Sequence, residues 1–278
     1  MRIGIRAHDM EKAPLNELFR NIHNKGFSCT QLALGKAVHE FKATNAVMTP
    51  GLAMYIKELC IENKVDIAVL GCYLNLCNPD EEQLKTIVEK YKAHIRFASV
   101  LGVGVVGTET GAVNTAYKYE PANHSEEALE IFIKNLRPIV EYAEKMGVIF
   151  AIEPVWKHVV YNLERARKVL DAINSPNLQI IFDPVNVLHV GNIDKQDEII
   201  RQAFDLLRDD IAVIHAKDYR VEGDELVSIP AGQGGFNYPL LLSLMKEHKP
   251  YVHVSLENTS PENAIETREY LEKLYAEV

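Results

Sequence analysis

Short apolar runs rich in β-branched residues alternate along the chain with longer stretches in which apolar positions recur at helical spacing. The runs at 2–6, 28–32, 66–70, 103–107, 148–152, 178–182, 211–214 and 251–256 predict eight strands. Between them, stripes such as Leu129, Phe132, Ile133, Leu136, Val140 and Ala143, or Leu163, Ala166, Val169, Leu170 and Ile173, predict helices with one face packed on a sheet. Strict β and α alternation implies parallel strands joined by crossovers, and eight such units predict a single (β/α)8 TIM barrel, one domain over residues 1–278. A doubly wound open sheet is the alternative, but no Gly-x-Gly-x-x-Gly follows the first strand.

Local punctuation refines this pattern. Thr49-Pro50, Asn78-Pro79 and Ser260-Pro261 each place a side-chain acceptor before proline and predict helix starts, with Glu81 three residues after Asn78 resembling a capping box. Pro138 lies inside a helical pattern and predicts a kink or a break. The segment from Asp218 to Asn237 reads as the longest irregular stretch, a lid over the barrel mouth, with Gly232, Gly234 and Gly235 free to approach a ligand or close.

Four consecutive apolar runs end in a group that binds metal or moves protons: Glu153 after VIFAI, Asp183 after LQIIF, His215 after IAVI and Glu257 after YVHVSL. These positions are separated by 30, 32 and 42 residues, each close to one strand-plus-helix unit. In a parallel barrel the carboxyl ends of the strands share one face, so the four converge there. Each alone reads as a helix cap, a surface charge or a core imidazole, and only the recurrence in four successive units points to a shared ion. Three carboxylates and one imidazole suit one divalent metal ion, Mn²⁺ first, with Mg²⁺, Co²⁺ or Zn²⁺ compatible. A carboxylate bound through one oxygen keeps the other for proton transfer, which makes Glu153 and Glu257 the candidate catalytic pair.

Other strand ends supply candidate substrate contacts. Arg6 and His8 follow the first strand, Tyr73 and Asn75 the third, and Glu109 the fourth. Trp156, the single tryptophan, and His158 follow Glu153; Asn186 follows Asp183; Lys217 alternates onto the strand face of His215. Trp156 is expected to stack on a sugar ring or a larger aglycone.

Composition narrows the partners. A net charge of −9 opposes binding to a nucleic-acid backbone, and hydrophobic residues at 47% with charged ones at 25% describe a globular chain with a substantial core. The start MRIGIRAHD has no apolar leader, and no apolar stretch of membrane-spanning length follows, so a cytoplasmic protein without membrane contact is expected. Cys29, Cys60, Cys72 and Cys77 lack paired spacing and read as reduced thiols. Proton abstraction beside a carbonyl with an adjacent hydroxyl, as in an aldose or ketose, makes a small-molecule carbohydrate the expected partner, and a homo-oligomer or a small accessory subunit is compatible with the chain.

The segments AIEP at 151–154, IIFDP at 180–184, IHAKD at 214–218 and SLEN at 255–258, with GQGGFNYPLLLSLM at 232–245, resemble the xylose isomerase-like TIM barrels, the group holding D-tagatose 3-epimerase-type isomerases and endonuclease IV. The resemblance covers nearly the whole chain. It implies Glu153, Asp183, His215 and Glu257 as metal ligands and the two glutamates as the proton-transfer pair of a divalent-metal sugar isomerase or epimerase working through an enediolate. A metal-dependent lyase, either a dehydratase or the catalytic subunit of a C-glycoside deglycosidase, is the alternative within the same group. The group's ketose 3-epimerases usually carry Glu six residues after the first ligand, His three after the Asp and Arg six after the His; here Val159, Asn186 and Val221 stand there, with Arg220 one position short. These departures count against a standard free-ketose 3-epimerase. An AP endonuclease is the remote alternative, opposed by the lack of further histidines in QLAL and GCYLN and by the acidic charge.

Overall fold

The computed structural model describes residues 1–278. Its strands are β1 (Arg2–Arg6), β2 (Cys29–Leu32), β3 (Asp66–Gly71), β4 (Val105–Glu109), β5 (Ile149–Glu153), β6 (Leu178–Phe182), β7 (Ile211–Ala216), β8 (Asp218–Glu222), β9 (Glu225–Ile229) and β10 (His253–Leu256). Eight of them close into a barrel in the order β1-β10-β7-β6-β5-β4-β3-β2, and every barrel pairing is parallel. All eight predicted strands are therefore present, with ends displaced by no more than two residues.

The surrounding helices are α1 (Leu15–Asn24), the short α2 (Leu34–Ala37), α3 (Pro50–Asn63), α4 (Glu81–Leu101), α5 (Glu126–Met146), α6 (Leu163–Ile173), α7 (Gln196–Leu207), α8 (Tyr238–His248) and α9 (Ala264–Glu277). Their apolar faces and the outer faces of the strands form one continuous core, to which Phe132, Leu136 and Val140 of α5 contribute. Thr49 caps α3 as expected, accepting from Leu52 N. The other two proline signals mark turns that precede their helices. Asn78 accepts from Asp80 N, and Asp80 then caps α4; Asn263 accepts from Ser260 N just before α9 starts. Helix α5 runs unbroken through Pro138. No helix is long and apolar enough to cross a membrane.

Inside the barrel the side chains are small. Cys29, Val69, Ala151, Ile181 and Val213 form a separate buried cluster, and Gly107 completes it, since a Cβ there would come within 2.6 Å of Ile181 Cδ1 and 2.7 Å of Val69 Cγ1. Strand alternation carries each inward series to the carboxyl mouth: Gly107 then Glu109, Ala151 then Glu153, Ile181 then Asp183, Val213 then His215, Ser255 then Glu257. The apolar floor of the barrel and its polar mouth are successive layers of the same strand faces.

The segment after β7 departs from expectation. Instead of an irregular lid it forms an antiparallel hairpin, β8 with β9, around a two-residue turn of Gly223 and Asp224. The glycine-rich stretch behind it wraps Asp218, whose carboxylate accepts from Tyr219 N, Gly232 N and Phe236 N. Gly234 passes so close that a Cβ would lie 2.1 Å from Tyr219 O, so here the glycines serve packing around a buried acid.

Candidate metal centre

Glu153, Asp183, His215 and Glu257 meet at the mouth, with one ligand atom from each lying within 4.8 Å of every other. They are 2%, 0%, 0% and 6% exposed, which excludes ordinary surface charges. His215 Nδ1 lies 3.2 Å from Glu153 Oε1 and 3.3 Å from Glu257 Oε1. Its Nε2 is 2.7 Å from Gln31 Oε1, a partner that can only accept. Gln31 thereby fixes the ring with Nδ1 facing the carboxylates, the arrangement by which metal-binding histidines are usually oriented. Asp183 Oδ1 accepts from the backbone N–H groups of Val185 and Asn186, which leaves Oδ2 for the cluster.

Two cations and an amide brace this acidic group. Lys217 Nζ lies 2.8 Å from Asp183 Oδ2 and 3.1 Å from Glu257 Oε2. Arg6 NH1 lies 3.3 Å from Glu257 Oε1, while its Nε and NH2 grip Asp9 at 2.9 and 3.2 Å. Asn186 Nδ2 donates to Glu153 Oε1 at 2.7 Å. Burial opposes the charge on Lys217, yet Asp183, Glu257 and Glu153 hold its ammonium above its ordinary value. Burial likewise opposes the His215 imidazolium, but Glu153 and Glu257 hold it up at about 9. Burial alone would raise the Glu257 carboxyl; Lys217, His215 and Arg6 instead hold it well below the usual range.

A divalent cation fits this donor set. Ligands at about 2.0–2.2 Å from a metal stand at most about 4.4 Å apart, so donors already within 4.8 Å need only small side-chain adjustments. The oxygen-rich composition favours a hard or borderline ion.

Above the cluster lies a polar pocket of about 240 Å³. Arg6, His8, Tyr73, Glu109, His158, Asn186 and Lys217 all line it, beside Glu153 and Glu257. Burial holds His8 and His158 down at about 4, with Arg6 and Lys36 adding to the effect at His8. Glu109 accepts from Tyr117 OH at 3.0 Å, and the Tyr117 ring stacks on His158 with centroids 5.1 Å apart. Burial raises the Glu109 carboxyl above its ordinary value against that hydrogen bond.

Two candidates are not in this pocket. Trp156 lines an adjoining cavity, with one face covered by the His189 ring at 3.7 Å. Asn75 is buried in a backbone role, donating to Ala112 O and Asn114 O and accepting from Cys77 N and Ala112 N. Where the group's ketose 3-epimerases carry Glu, Val159 is fully buried; Val221 is exposed on the hairpin, away from the pocket. Of the three departures only Asn186 touches the centre.

Sequence reasoning missed Gln31, Lys36, Tyr117 and Asn258. Gln31 carried a usable signal, a polar residue on the inward side of an otherwise buried strand. Asn258 lines the pocket directly after Glu257 in a left-handed backbone conformation, φ 55°. Non-glycine residues held this way cluster where a structure over-determines a functional geometry.

A parallel eight-stranded barrel carrying one buried Glu, Asp, His, Glu cluster at its carboxyl mouth has the architecture of a barrel enzyme. The family model described as xylose isomerase-like TIM barrel matches residues 19–274, and the chain belongs to that family. An uncharacterized protein of Methanocaldococcus jannaschii, MJ1311, is 26% identical over 253 residues, covering 87% of this chain and 83% of that protein. Among solved structures, a D-tagatose 3-epimerase-like protein superposes with a TM-score of 0.78 at 23% identity, covering 100% of this chain and 97% of that one. The 3-keto-D-glucoside 4-epimerase YcjR of E. coli gives 0.75 at 15% identity, covering 98% and 99%. An IOLI protein with a bound zinc atom gives 0.73 at 20% identity, covering 100% and 97%. These structural likenesses establish the shared fold.

Proposed function

We propose that this chain is a divalent-metal-dependent sugar isomerase or epimerase that moves a proton on the carbon next to a carbonyl. The observation that carries the reading is the convergence of Glu153 and Glu257 on His215 Nδ1, at 3.2 and 3.3 Å, beneath a pocket sized for a small polyol. A cation held by Glu153, Asp183, His215 and Glu257 would supply Lewis-acid polarisation of the substrate carbonyl. The oxygen-rich set favours Mn²⁺, and the zinc atom of the IOLI neighbour supports a divalent ion.

The two glutamates differ in a way that assigns their work. Glu153 has Oε1 fixed by Asn186 and His215, while Oε2 accepts no hydrogen bond from the protein and is free to take a proton from carbon. Glu257 has both oxygens beside cations, Oε1 by Arg6 and Oε2 by Lys217, and is a carboxylate at rest; in isomerisation Glu153 returns its proton to the neighbouring carbon, and in epimerisation Glu257 takes a proton from the Lys217 ammonium and gives it to the opposite face. Lys217 and Arg6 offset the negative charge that appears on the substrate as the proton leaves. His8 and His158, neutral at pH 7, offer uncharged hydrogen bonds to hydroxyls. The sugar epimerases among the structural neighbours support this class of reaction.

The test is incubation with Mn²⁺ in D₂O against a panel of ketoses, keto-glycosides and C-glycosides. Deuterium at the carbon next to the carbonyl, with no group lost and abolished by Glu153→Gln, is expected. Release of an aglycone or water would move the protein to the lyases. Absence of exchange with every member would overturn the proposal.

A further inference from the structure

The polar pocket adjoins a second cavity of about 550 Å³, and Val155, Lys157 and Asn186 line both. We infer that the outer cavity is a subsite for an uncharged, apolar aglycone, so that the substrate is a keto-glycoside and not a free sugar. This inference rests on the carbohydrate-carbonyl reading of the inner pocket.

The inner pocket, about 240 Å³, falls below the roughly 300–1,000 Å³ of sites that enclose larger ligands, and the outer one falls within that range. Their linings differ in chemistry. The inner pocket is nearly all polar, whereas the outer is walled by Trp156, Val185, Leu188 and Val190 on one side and Leu226 of the hairpin on the other. The aromatic wall is rigid. Trp156 is stacked on His189 at 3.7 Å and packed edge-on by His124 at 4.9 Å and Tyr161 at 5.8 Å, while its backbone N–H donates to Asn186 O at 2.7 Å. A preorganised wall costs little ordering on binding.

Charge selects the occupant further. Lys157, the cation at the junction, is 3.6 Å from Glu225, and Asp224 adds a second carboxylate to the rim. An anionic group in the outer cavity would meet two carboxylates and one lysine already paired, so a neutral group is favoured. Asn186 connects the compartments, with its side chain on Glu153 and its backbone on Trp156. A sugar ring over the cluster would thus direct its glycosidic substituent past Asn186 toward the tryptophan.

Trp156 is the only tryptophan, so fluorescence excited selectively in the tryptophan band reports on this cavity and needs no turnover. Titration with phenyl β-D-glucoside should change the emission saturably, with an affinity at least about tenfold tighter than that of methyl β-D-glucoside. Leu226→Arg on the hairpin, or Val190→Arg on the opposite wall should either variant fold poorly, should abolish the difference. Equal affinity for the two glucosides, no response to the phenyl compound, or a preference untouched in a folded variant would overturn the inference. Failure of the reaction reading appears separately, as absent deuterium exchange with a normal fluorescence titration.

Discussion

Asn186 donates its side-chain Nδ2 to Glu153 Oε1 at 2.7 Å, although the two lie on neighbouring units of the barrel, 33 residues apart. The bond leaves Glu153 Oε2 as the unengaged oxygen, so in the proposed mechanism Asn186 orients the proton carrier. Asn186→Ala should lower kcat by about 10–100-fold, the usual cost of removing a group that orients a ligand or catalytic residue. Asn186→His, which restores a donor, should recover part of the loss. Equal activity in Asn186→Ala and the native protein would refute the orienting role.

Gln31 and His215 make a second such pair at 2.7 Å. Gln31→Leu removes the acceptor that keeps Nδ1 toward the carboxylates, and should weaken Mn²⁺ affinity by about 10–100-fold in a competition titration with a chelator. Unchanged affinity would mean that the strand packing alone orients the ring.

Metal loading should stabilise the fold, because the cluster is assembled only in the native barrel. At a free Mn²⁺ concentration 100 times Kd, the gain is about 2.7 kcal/mol. Thermal melts with and without metal should show this upward shift for the native chain and none for Asp183→Asn. A shift of equal size in the variant would place the ion elsewhere.

Acid sensitivity follows from the two half-buried histidines of the pocket. In the fold His8 and His158 titrate at about 4, against about 6.5 for an exposed imidazole. The native state therefore keeps them neutral while the unfolded chain takes up protons. Their contribution is fully present above about pH 6.5 and is lost as pH falls toward 4, at no more than about 1.4 kcal/mol per pH unit for each. Glu109, 3.8 Å from His158, has a raised pKa and acts in the opposite sense, because the native state takes up its proton before the unfolded chain does as pH falls. Urea midpoints at pH 7 and pH 5 should differ less in His158→Gln than in the native chain; an equal difference would contradict the assignment.

Packing inside the barrel gives a prediction independent of function. Gly107→Ala places a Cβ within 2.7 Å of Ile181 and Val69 and should cost about 1–3 kcal/mol in denaturant unfolding, with m unchanged. A neutral substitution would show that the inner layer yields more readily than its fit implies.

How much of this was legible beforehand depends on the range of the interactions involved. Strand alternation and helical stripes are local, so the eight strands could be read from short windows, as could Glu153, Asp183, His215 and Glu257. Each of these follows its inward-facing series by two residues. The hairpin β8–β9 had a local sign, Gly223-Asp224 between two short alternating runs, but its strands are only partly buried and lack a strong apolar face. Gln31 binds His215 across 184 residues, and Tyr117 reaches Glu109 from a loop. Which face of Trp156 is covered depends on His189, a residue of the next barrel unit. By itself the sequence determined the barrel and the convergence of Glu153, Asp183, His215 and Glu257, because both arise from periodicities of two and 3.6 residues. Only the tertiary structure decided which groups orient those side chains and where the second cavity lies. Those features arise when β1 closes on β10 and the loops of separate units are pressed together, contacts that no local period encodes.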